Sequence, residues 1–342
     1  FVRMIKKFEN FSLAERNSFA VSIQTLRLVE FGPSDELIEY MASNAGLLSE
    51  KWAVLGGGNN ILFTCDYQGT LFHPATEEIT VTGEDKDFVR VKVSAGHDWD
   101  GFVAWAVEHG LWGVENLSHI PSLTGAAPVQ NIGAYGAEVK DVIDSVEIVH
   151  TDTLKATTIA GEHCVFGYRD SIFKNLLKGK AIITAVNFML AKKPSPNTSY
   201  GALNEETERL GGKTLKNIRQ AVINIRTDKL PDPKNIGNAG SFFKNPVVPA
   251  ELAAKLKKEY PDIPQYPGAG HETVKLAAGW LIEKAGWKGR REGNVGIYPK
   301  QALIVVNHGG ATGNEIIGFS DKVRSSVFEM FGIDIEPEVN IW

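Results

Sequence analysis

A stretch of very small side chains, residues 120–136, constrains the fold of this chain more than any other feature. It reads IPSLTGAAPVQNIGAYG, with glycines at positions 125, 133 and 136 and alanines at 126, 127 and 134. Because glycine lacks a Cβ and accepts φ > 0, we predict that the backbone here closely approaches something flat or phosphorylated. The alternative is a buried turn between two strands, but long loops without a function are uncommon.

The composition and charge of the chain narrow the function classes. At 342 residues, two or three domains are expected from about 150 residues per domain. A net charge of -5 argues against nucleic acid as a partner, and no apolar run reaches the ~18 residues of a membrane span. The only cysteines, Cys65 and Cys164, form no CxxC pair, which is typical of a reducing cytosol. The histidines lack ligand spacing, so we predict no metal site.

Local patterns predict a mixture of strands and helices, and the fold class is therefore α+β. Asp98 is predicted to cap a helix over Trp99–Glu108, and Ser34 a helix that begins after Pro33. Residues 146–150 and 155–159 are predicted to form a hairpin. Further helices are predicted at residues 215–228, 249–259, 274–285 and 314–330. The Pro-rich segment 229–233 breaks the chain and predicts a domain boundary.

A glycine turn at residues 56–60 lies between two short predicted strands, 52–55 and 61–63. A Rossmann motif or a P-loop would have a helix after the glycines, and a P-loop would also have Lys-Ser/Thr. Neither pattern is present here. The backbone N–H groups of such a turn still suit an anion.

Several blocks of sequence occur in a recognisable order. They are the glycine turn GGGNN at 56–60, APVQNIGAYG at 127–136, YRDS at 168–171, GNAGSFFKNP at 237–246 and EPEV at 336–339. Together they resemble the UDP-N-acetylenolpyruvoylglucosamine reductase family, over essentially residues 17–339. The loop at Tyr200 is similar to the type I form, which has a substrate-covering tyrosine.

The resemblance implies a vanillyl-alcohol-oxidase-type FAD-binding fold followed by a smaller α+β substrate domain. The implied division is 4–229 for the FAD-binding region, with two subdomains split near 70–80, 230–332 for the substrate-binding domain, and 333–342 for a C-terminal segment that returns to the active site. The implied reaction belongs to peptidoglycan biosynthesis in the cytoplasm. NADPH reduces bound FAD, and the reduced flavin reduces UDP-N-acetylglucosamine enolpyruvate to UDP-N-acetylmuramate. We expect a monomer.

The resemblance also implies which residues hold the cofactor. Departures from the family occur at Asn59, where serine is usual, at Ser122, where glycine is usual, at Leu123, where a smaller residue is usual, and at Asn340, which is often arginine. The expected FAD-binding residues are Gly56, Gly57, Gly58, Asn59, Asn60, Leu123, Thr124, Gly125, Ala126, Gln130, Asn131, Gly133, Ala134 and Tyr135.

Three residues are expected to be catalytic. Reduction of the enolpyruvyl double bond leaves an enediolate, which needs donors on the carboxylate and an acid near the carbon. Arg169 offers a planar fork for the carboxylate, although an ion pair with Asp170 is the alternative. Glu338 is the second carboxylate partner and helps only when protonated. Ser241 is the expected proton donor, although serine after glycine also caps turns.

The expected substrate-binding residues supply donors for a UDP-sugar. A tyrosine covers a sugar with a polar tip, and a lysine offers a point charge to a diphosphate. The set is Tyr135, Arg169, Tyr200, Lys229, Asn245 and Gln301.

Two other functions remain open from the sequence. An oxidase of the same flavin fold would be reoxidised rapidly by oxygen without the UDP-sugar. A non-enzymatic nucleotide-sugar sensor would be indifferent to loss of the Ser241 hydroxyl, but a sensor has no need of a flavin cradle.

Overall fold

The computed structural model describes residues 5–268, 270 and 272–342, so Met4, where the predicted FAD-binding region begins, lies outside the described residues. Strands and helices are labelled in chain order. The strands are β1 Lys6–Ser12, β2 Gln24–Phe31, β3 Trp52–Val54, β4 Ile61–Leu62, β5 Tyr67–Pro74, β6 Ile79–Glu84, β7 Phe88–Ser94, β8 Gly133–Ala134, β9 Ala137–Glu138, β10 Ile143–His150, β11 Ala156–Ala160, β12 Ala181–Ala191, β13 Gly237–Asn238, β14 Val247–Pro249, β15 Gln265–Pro267, β16 Thr273–Leu276, β17 Arg291–Glu292, β18 Val295–Ile297, β19 Val305–Asn307 and β20 Asn340–Ile341.

The helices connect these strands within two compact units. The helices are α1 Ser34–Ser43, α2 Trp99–Glu108, α3 Leu203–Arg209, α4 Leu215–Lys229, α5 Ala250–Glu259, α6 Ala278–Lys284 and α7 Gly313–Phe331. The first unit comprises the segment up to Phe11, Thr25–Gly57 and Gln68–Asp228. The second unit comprises Ser12–Gln24, Gly58–Tyr67 and Lys229–Trp342. One boundary between the two units therefore falls between Asp228 and Lys229. Another falls inside the glycine turn, between Gly57 and Gly58.

Within the described residues, the first unit contains two larger sheets and the two-stranded sheet β8-β9. One has the strand order β1-β2-β5-β3, in which β3 and β5 are parallel. The other has the order β11-β10-β12-β7-β6 and is antiparallel throughout. Helix α2 packs on the second sheet through Trp99 and Phe102, which are fully buried. The Phe102 and Phe188 rings stack with centroids 4.6 Å apart, and fully burying one such ring contributes about 1.5–3 kcal/mol. This core supports the stretch 120–136, since Ala127 and Ile132 belong to it.

The second unit is assembled from three separate segments of the chain. Its larger sheet has the order β13-β19-β18-β17, and a smaller one has the order β14-β16-β15. Strand β20 pairs in parallel with β4, a partner about 280 residues earlier in the chain, with Asn340 opposite Ile61. Helix α7 begins with a capping box between Thr312 and Glu315 and ends at Gly332, whose φ is 66°.

The predictions for local structure have mixed outcomes. The α2 cap is confirmed, because Asp98 Oδ2 accepts from Gly101 N at 2.7 Å. The hairpin is also confirmed as β10 and β11. The Ser34 cap is wrong: Pro33 occupies the N-cap position, so Ser34 already lies inside the helix. The helix predicted over 274–285 is wrong in its first part, because β16 pairs there with both β14 and β15 and α6 begins only at Ala278. Cross-strand pairing on both sides outweighs helix propensity at these positions.

Candidate functional site

The glycine turn presents backbone N–H donors that have no acceptor among the residues that the structure describes. The N–H groups of Gly56 and Gly57, on the first unit's side, donate to no acceptor in the part of the chain that the structure describes. The same is true of Gly58 and Asn59 on the second unit's side, within those residues. Gly58 has φ 66°, and a Cβ there would lie 2.0 Å from the Arg16 carbonyl oxygen. Consecutive backbone donors of this kind suit a diphosphate, so these residues fit the predicted cofactor.

The stretch 120–136 is close-packed against the end of β7. A Cβ on Gly125 would lie 2.6 Å from the Ala95 Cβ, and one on Gly56 would lie 3.5 Å from the Ala126 Cβ. The N–H groups of Thr124 and Gly125 donate to His97 O and Ala95 O, each at 2.9 Å. These two donors are therefore already used, and the segment offers a closely approaching apolar surface rather than a row of donors.

Asn131 joins this stretch to the loop that carries Arg169. Its side chain is completely buried, and its Nδ2 donates to Gly167 O at 2.9 Å and to Glu138 Oε2 at 3.1 Å. Its Oδ1 accepts from Lys140 N at 3.2 Å. All of these partners belong to the protein, so Asn131 supports the site by fixing two loops.

Arg169 lies against the same stretch. Its Nη1 donates to Asn131 O at 3.1 Å and its Nη2 to Gly133 O at 2.8 Å. Because the residue has φ 103°, it occupies a strained backbone region that a non-glycine residue seldom adopts, and such strain is concentrated at functional sites. The Arg169 charge also contributes to lowering the pKa of Glu138: burial would raise that pKa, but hydrogen bonds from Lys140 and Asn131 and the two cations outweigh burial.

Tyr135 and Tyr200 lie together in the first unit. Their rings meet edge to face with centroids 6.1 Å apart, and Tyr135 packs against the apolar cluster of α3 and α4. Burial raises the pKa of Tyr135, whereas the Arg226 charge lowers it and Tyr200 raises it. Asn116 Nδ2 donates to both Tyr135 O and Asn197 O at 2.8 Å, which ties the Tyr200 loop to the stretch 120–136.

Arg226 is a functional candidate that sequence reasoning missed. Its Nε donates to His119 O at 3.0 Å, and its other nitrogens make no hydrogen bond or ion pair within the described ranges. Burial lowers its pKa, although the nearby Tyr135 and Asp100 act in the opposite direction. A half-buried guanidinium with unused donors suits an anionic group. No motif marks this residue; its only sequence signal is its place one helical turn before Lys229.

Ser241 and Glu338 lie close to one another in the second unit. The Glu338 N–H donates to the carbonyl of Phe242, the residue after Ser241, at 2.7 Å. Phe243 forms an isolated antiparallel β-bridge with Pro337. The Ser241 side chain is exposed and makes no hydrogen bond within the described residues, while Phe242 and Phe243 are buried and anchor it. Gly240, with φ 69°, provides the sharp turn before Ser241.

The other predicted substrate residues of this unit fall into two places. Asn245 Oδ1 accepts from Ala278 N at 3.0 Å, and Gln301 Oε1 lies 3.4 Å from the position of a Cβ on Gly279, so both residues lie near the start of α6. Lys229 is exposed at the end of α4. Arg169 and Tyr200 belong to the first unit, and Ser241, Glu338, Lys229, Asn245 and Gln301 belong to the second.

The remaining predicted cofactor residues are divided between the two units, with Asn60 in the second and Leu123, Ala134 and Gln130 in the first. Asn60 Nδ2 donates to Glu338 O at 3.4 Å. Leu123 bridges to Asp98, and Ala134 pairs with Ala137 in β8 and β9. Gln130 is half-buried. Within the described residues there is no cluster of three or more His, Cys, Asp or Glu that could hold a metal, and no helix there is long and apolar enough to cross a membrane.

Comparison with known proteins gives a consistent result along the chain. A family model described as "FAD binding domain" matches residues 34–153, and one described as "UDP-N-acetylenolpyruvoylglucosamine reductase, C-terminal domain" matches residues 232–342. A solved structure of UDP-N-acetylenolpyruvylglucosamine reductase from Thermus caldophilus covers 99% of this chain and 98% of its own, with a TM-score of 0.68 and 22% identity. These matches confirm the predicted α+β FAD-binding fold.

Sequence relatives extend over nearly the full length of both chains. UDP-N-acetylenolpyruvoylglucosamine reductase of Bacteroides fragilis is 43% identical over 332 residues, which is 97% of this chain and 99% of the relative. The enzyme of that name from Chromobacterium violaceum is 44% identical over 327 residues, 94% of this chain and 95% of the relative. The chain therefore belongs to the UDP-N-acetylenolpyruvoylglucosamine reductase family.

Proposed function

We propose that this chain reduces the enolpyruvyl ether of UDP-N-acetylglucosamine to UDP-N-acetylmuramate, with FAD as bound cofactor and NADPH as reductant. The observation that carries the proposal is the pair in the second unit, where the Glu338 N–H bonds to the carbonyl of Phe242 and the adjacent Ser241 hydroxyl is exposed. A glutamate whose backbone is bonded next to a serine with an exposed hydroxyl suits a reaction that must bind a carboxylate and deliver a proton.

The residues that would hold the cofactor are the glycine turn and the stretch 120–136. The unused N–H groups of residues 56–59 would bind the diphosphate, and the close-packed surface around Gly125 would accept the ring system. When bound, the flavin supplies the reducing equivalents for the double bond. We include Arg226 as a cation for an anionic group of cofactor or substrate.

The chain's own residues would then manage charge and the proton. Arg169 would bind the substrate carboxylate, because its planar guanidinium is oriented by its bonds to two loop carbonyls and suits a carboxylate. Ser241 would donate its hydroxyl proton to the substrate carbon next to that carboxylate. Glu338, in its protonated form, would donate a hydrogen bond to the enediolate that develops there.

The remaining predicted contacts concern the UDP-sugar. Tyr200 would cover the substrate, Lys229 would face the diphosphate, and Asn245 and Gln301 would bind polar groups of the sugar nucleotide. Residues 4–229 would form the FAD-binding region, 230–332 the substrate-binding domain and 333–342 the returning C-terminal segment. We further propose that the protein acts as a monomer in the cytoplasm.

The absorbance of the purified protein tests the function. We expect a flavin spectrum that bleaches with NADPH and recovers when the enolpyruvyl UDP-sugar is added without oxygen. A colourless protein that takes up no FAD contradicts the proposal. Rapid recovery with oxygen alone, and none with the UDP-sugar, indicates an oxidase instead.

The Ser241→Ala variant tests the proton donor. Flavin reduction by NADPH should stay within about twofold of wild type, whereas reoxidation by the UDP-sugar should slow by about 10²–10⁴-fold, the usual contribution of a positioned acid. Stopped-flow absorbance measures each half separately. An equal loss in both halves would contradict the role of Ser241.

A further inference from the structure

The segment 338–342, here called the terminal segment, is fastened to the residues that follow the glycine turn. Trp342 N donates to Leu62 O at 2.9 Å, and Thr64 donates to Trp342 O through both its N–H and its Oγ1, each at 2.8 Å. The Trp342 ring lies 5.5 Å from the Phe63 ring and 5.6 Å from the Tyr67 ring, between centroids. Both partner rings are buried, so the end of the segment is held by packing as well as by hydrogen bonds.

Asn340 makes the contact nearest to the glycine turn. Its backbone N–H and its Nδ2 both donate to the carbonyl oxygen of Asn60, at 3.1 and 3.0 Å. Asn60 in turn donates from its own Nδ2 to Glu338 O at 3.4 Å. The two asparagines therefore link the last residue of the glycine turn to the backbone of Glu338 by a closed set of hydrogen bonds.

The backbone of Glu338 is consequently held at both its N–H group and its carbonyl group. Its N–H is fixed on the carbonyl of Phe242 and its carbonyl on the side chain of Asn60. Rotation of the Glu338 backbone would break one of these bonds, so the origin of its carboxyl group is set relative to both Ser241 and the turn.

We propose that Asn340 is a positioning residue. Through its hydrogen bond to Asn60, it holds the Glu338 backbone at a fixed position relative to Ser241 and to the glycine turn. The proposal rests on the proposed function, in which Glu338 binds the substrate carboxylate. It assigns Asn340 no contact with substrate. Displacing a catalytic group by about 1 Å costs up to about 10²-fold in rate, so loss of this bond is expected to appear in the step that uses Glu338.

The Asn340→Leu variant removes the side-chain donor at similar size. We expect reoxidation by the UDP-sugar to slow about tenfold or more, flavin reduction by NADPH to stay within about twofold, and bound FAD per chain to be unchanged by its absorbance. The control is Ile341→Ala, since Ile341 is the next residue of β20 and is 45% exposed; it should match wild type in all three measurements. Equal rates for Asn340→Leu and wild type overturn the proposal.

A double-mutant cycle separates positioning from general stability. If Asn340 acts through Glu338, Asn340→Leu adds less than about twofold to the slower rate of Glu338→Gln. Multiplicative losses in the double variant overturn the proposal. If Asn340→Leu does not yield folded protein, Asn340→Ser, which keeps a small polar side chain of shorter reach, enters the same cycle. If the reduced flavin of the wild-type protein is not reoxidised by the UDP-sugar, the proposed function itself is refuted. That outcome differs from failure of the Asn340 proposal, in which the wild-type protein is active and Asn340→Leu matches it.

Discussion

Arg169 would meet both a structural and a chemical requirement in the proposed reaction. Two of its nitrogens hold the carbonyls of Asn131 and Gly133, and its backbone has φ 103°. The two side-chain contacts orient its guanidinium before any substrate arrives. Such preorganisation is what makes a cation effective toward developing charge, because nothing must reorganise during the reaction.

We expect Arg169→Lys to lose both the contacts to the two loop carbonyls and the binding of the substrate carboxylate. A single ammonium cannot donate to two carbonyls and also grip a carboxylate with two parallel bonds. We expect reoxidation by the UDP-sugar to slow about 10²-fold or more, with a smaller effect on flavin reduction, measured in stopped flow. Arg209→Lys is the control, because Arg209 is exposed and pairs with Glu206 three residues away. Full activity of Arg169→Lys would show that a point charge suffices.

At the scale of elements, the proposed FAD site depends on how closely the stretch 120–136 approaches the end of β7. Gly125→Ala would place a Cβ 2.6 Å from the Ala95 Cβ and 3.1 Å from its backbone, where neither can yield. The loop must shift, so we expect the affinity of the protein for FAD to fall by at least about tenfold, as measured by flavin fluorescence. Gly83→Ala is the control, since a Cβ there meets nothing within 4 Å. Unchanged FAD binding in Gly125→Ala would contradict the assigned surface.

Helices α2 and α4 are joined beneath this stretch by an ion pair. Asp100 accepts from Arg219 Nη1 at 2.6 Å and Nη2 at 3.0 Å, and from His119 N at 2.5 Å. Burial raises the pKa of Asp100, but the bonds from Arg219 and His119 and the Arg219 charge outweigh it and lower the pKa. The pair therefore stabilises the fold at neutral pH, and that contribution is lost as the pH falls below about 4, through the lowered pKa of the folded state.

Asp100→Asn should remove this contribution. We expect a loss of about 1–3 kcal/mol in the free energy of unfolding at pH 7, and a difference from wild type that narrows as the pH falls below about 4. Urea unfolding at several pH values measures both. Asp144→Asn, at an exposed position of β10, should behave like wild type throughout. A difference in the free energy of unfolding that stays constant at all pH values would show that the stabilisation does not depend on the charge of Asp100.

What the sequence could predict follows from the range of the interactions. The α2 cap and the β10–β11 hairpin depend on residues a few positions apart, and both were predictable. Strand β16 was missed because its partners lie on two other segments. Arg226 was missed because its role depends on what α4 packs against. The bond between Asn340 and Asn60, 280 residues apart, leaves no local pattern at all.

At the scale of the whole molecule, the second unit is not a continuous piece of chain. Residues 12–24 and 58–67 supply part of its interior, including Phe19 and Phe63, which are fully buried. The Phe19 carbonyl accepts from Asn307 Nδ2 at 2.8 Å, and Gly313 packs so closely that a Cβ on it would lie 1.8 Å from the Phe63 carbonyl oxygen. The predicted substrate-binding residues of this unit, Lys229, Asn245 and Gln301, thus belong to a unit whose core is completed by the earlier segments.

A fragment comprising residues 229–342 alone is therefore expected not to fold. It retains α5, α6 and α7 but lacks Phe19 and Phe63, and losing a buried phenylalanine costs about 3–5 kcal/mol, so two such losses approach the whole stability of a small domain. Circular dichroism should show reduced helix without a cooperative thermal transition. A fusion of residues 12–24 and 58–67 to the fragment through flexible linkers should restore a transition. The same fusion with Phe19→Ala and Phe63→Ala should not, and a cooperative transition in the bare fragment would show that the earlier segments are dispensable.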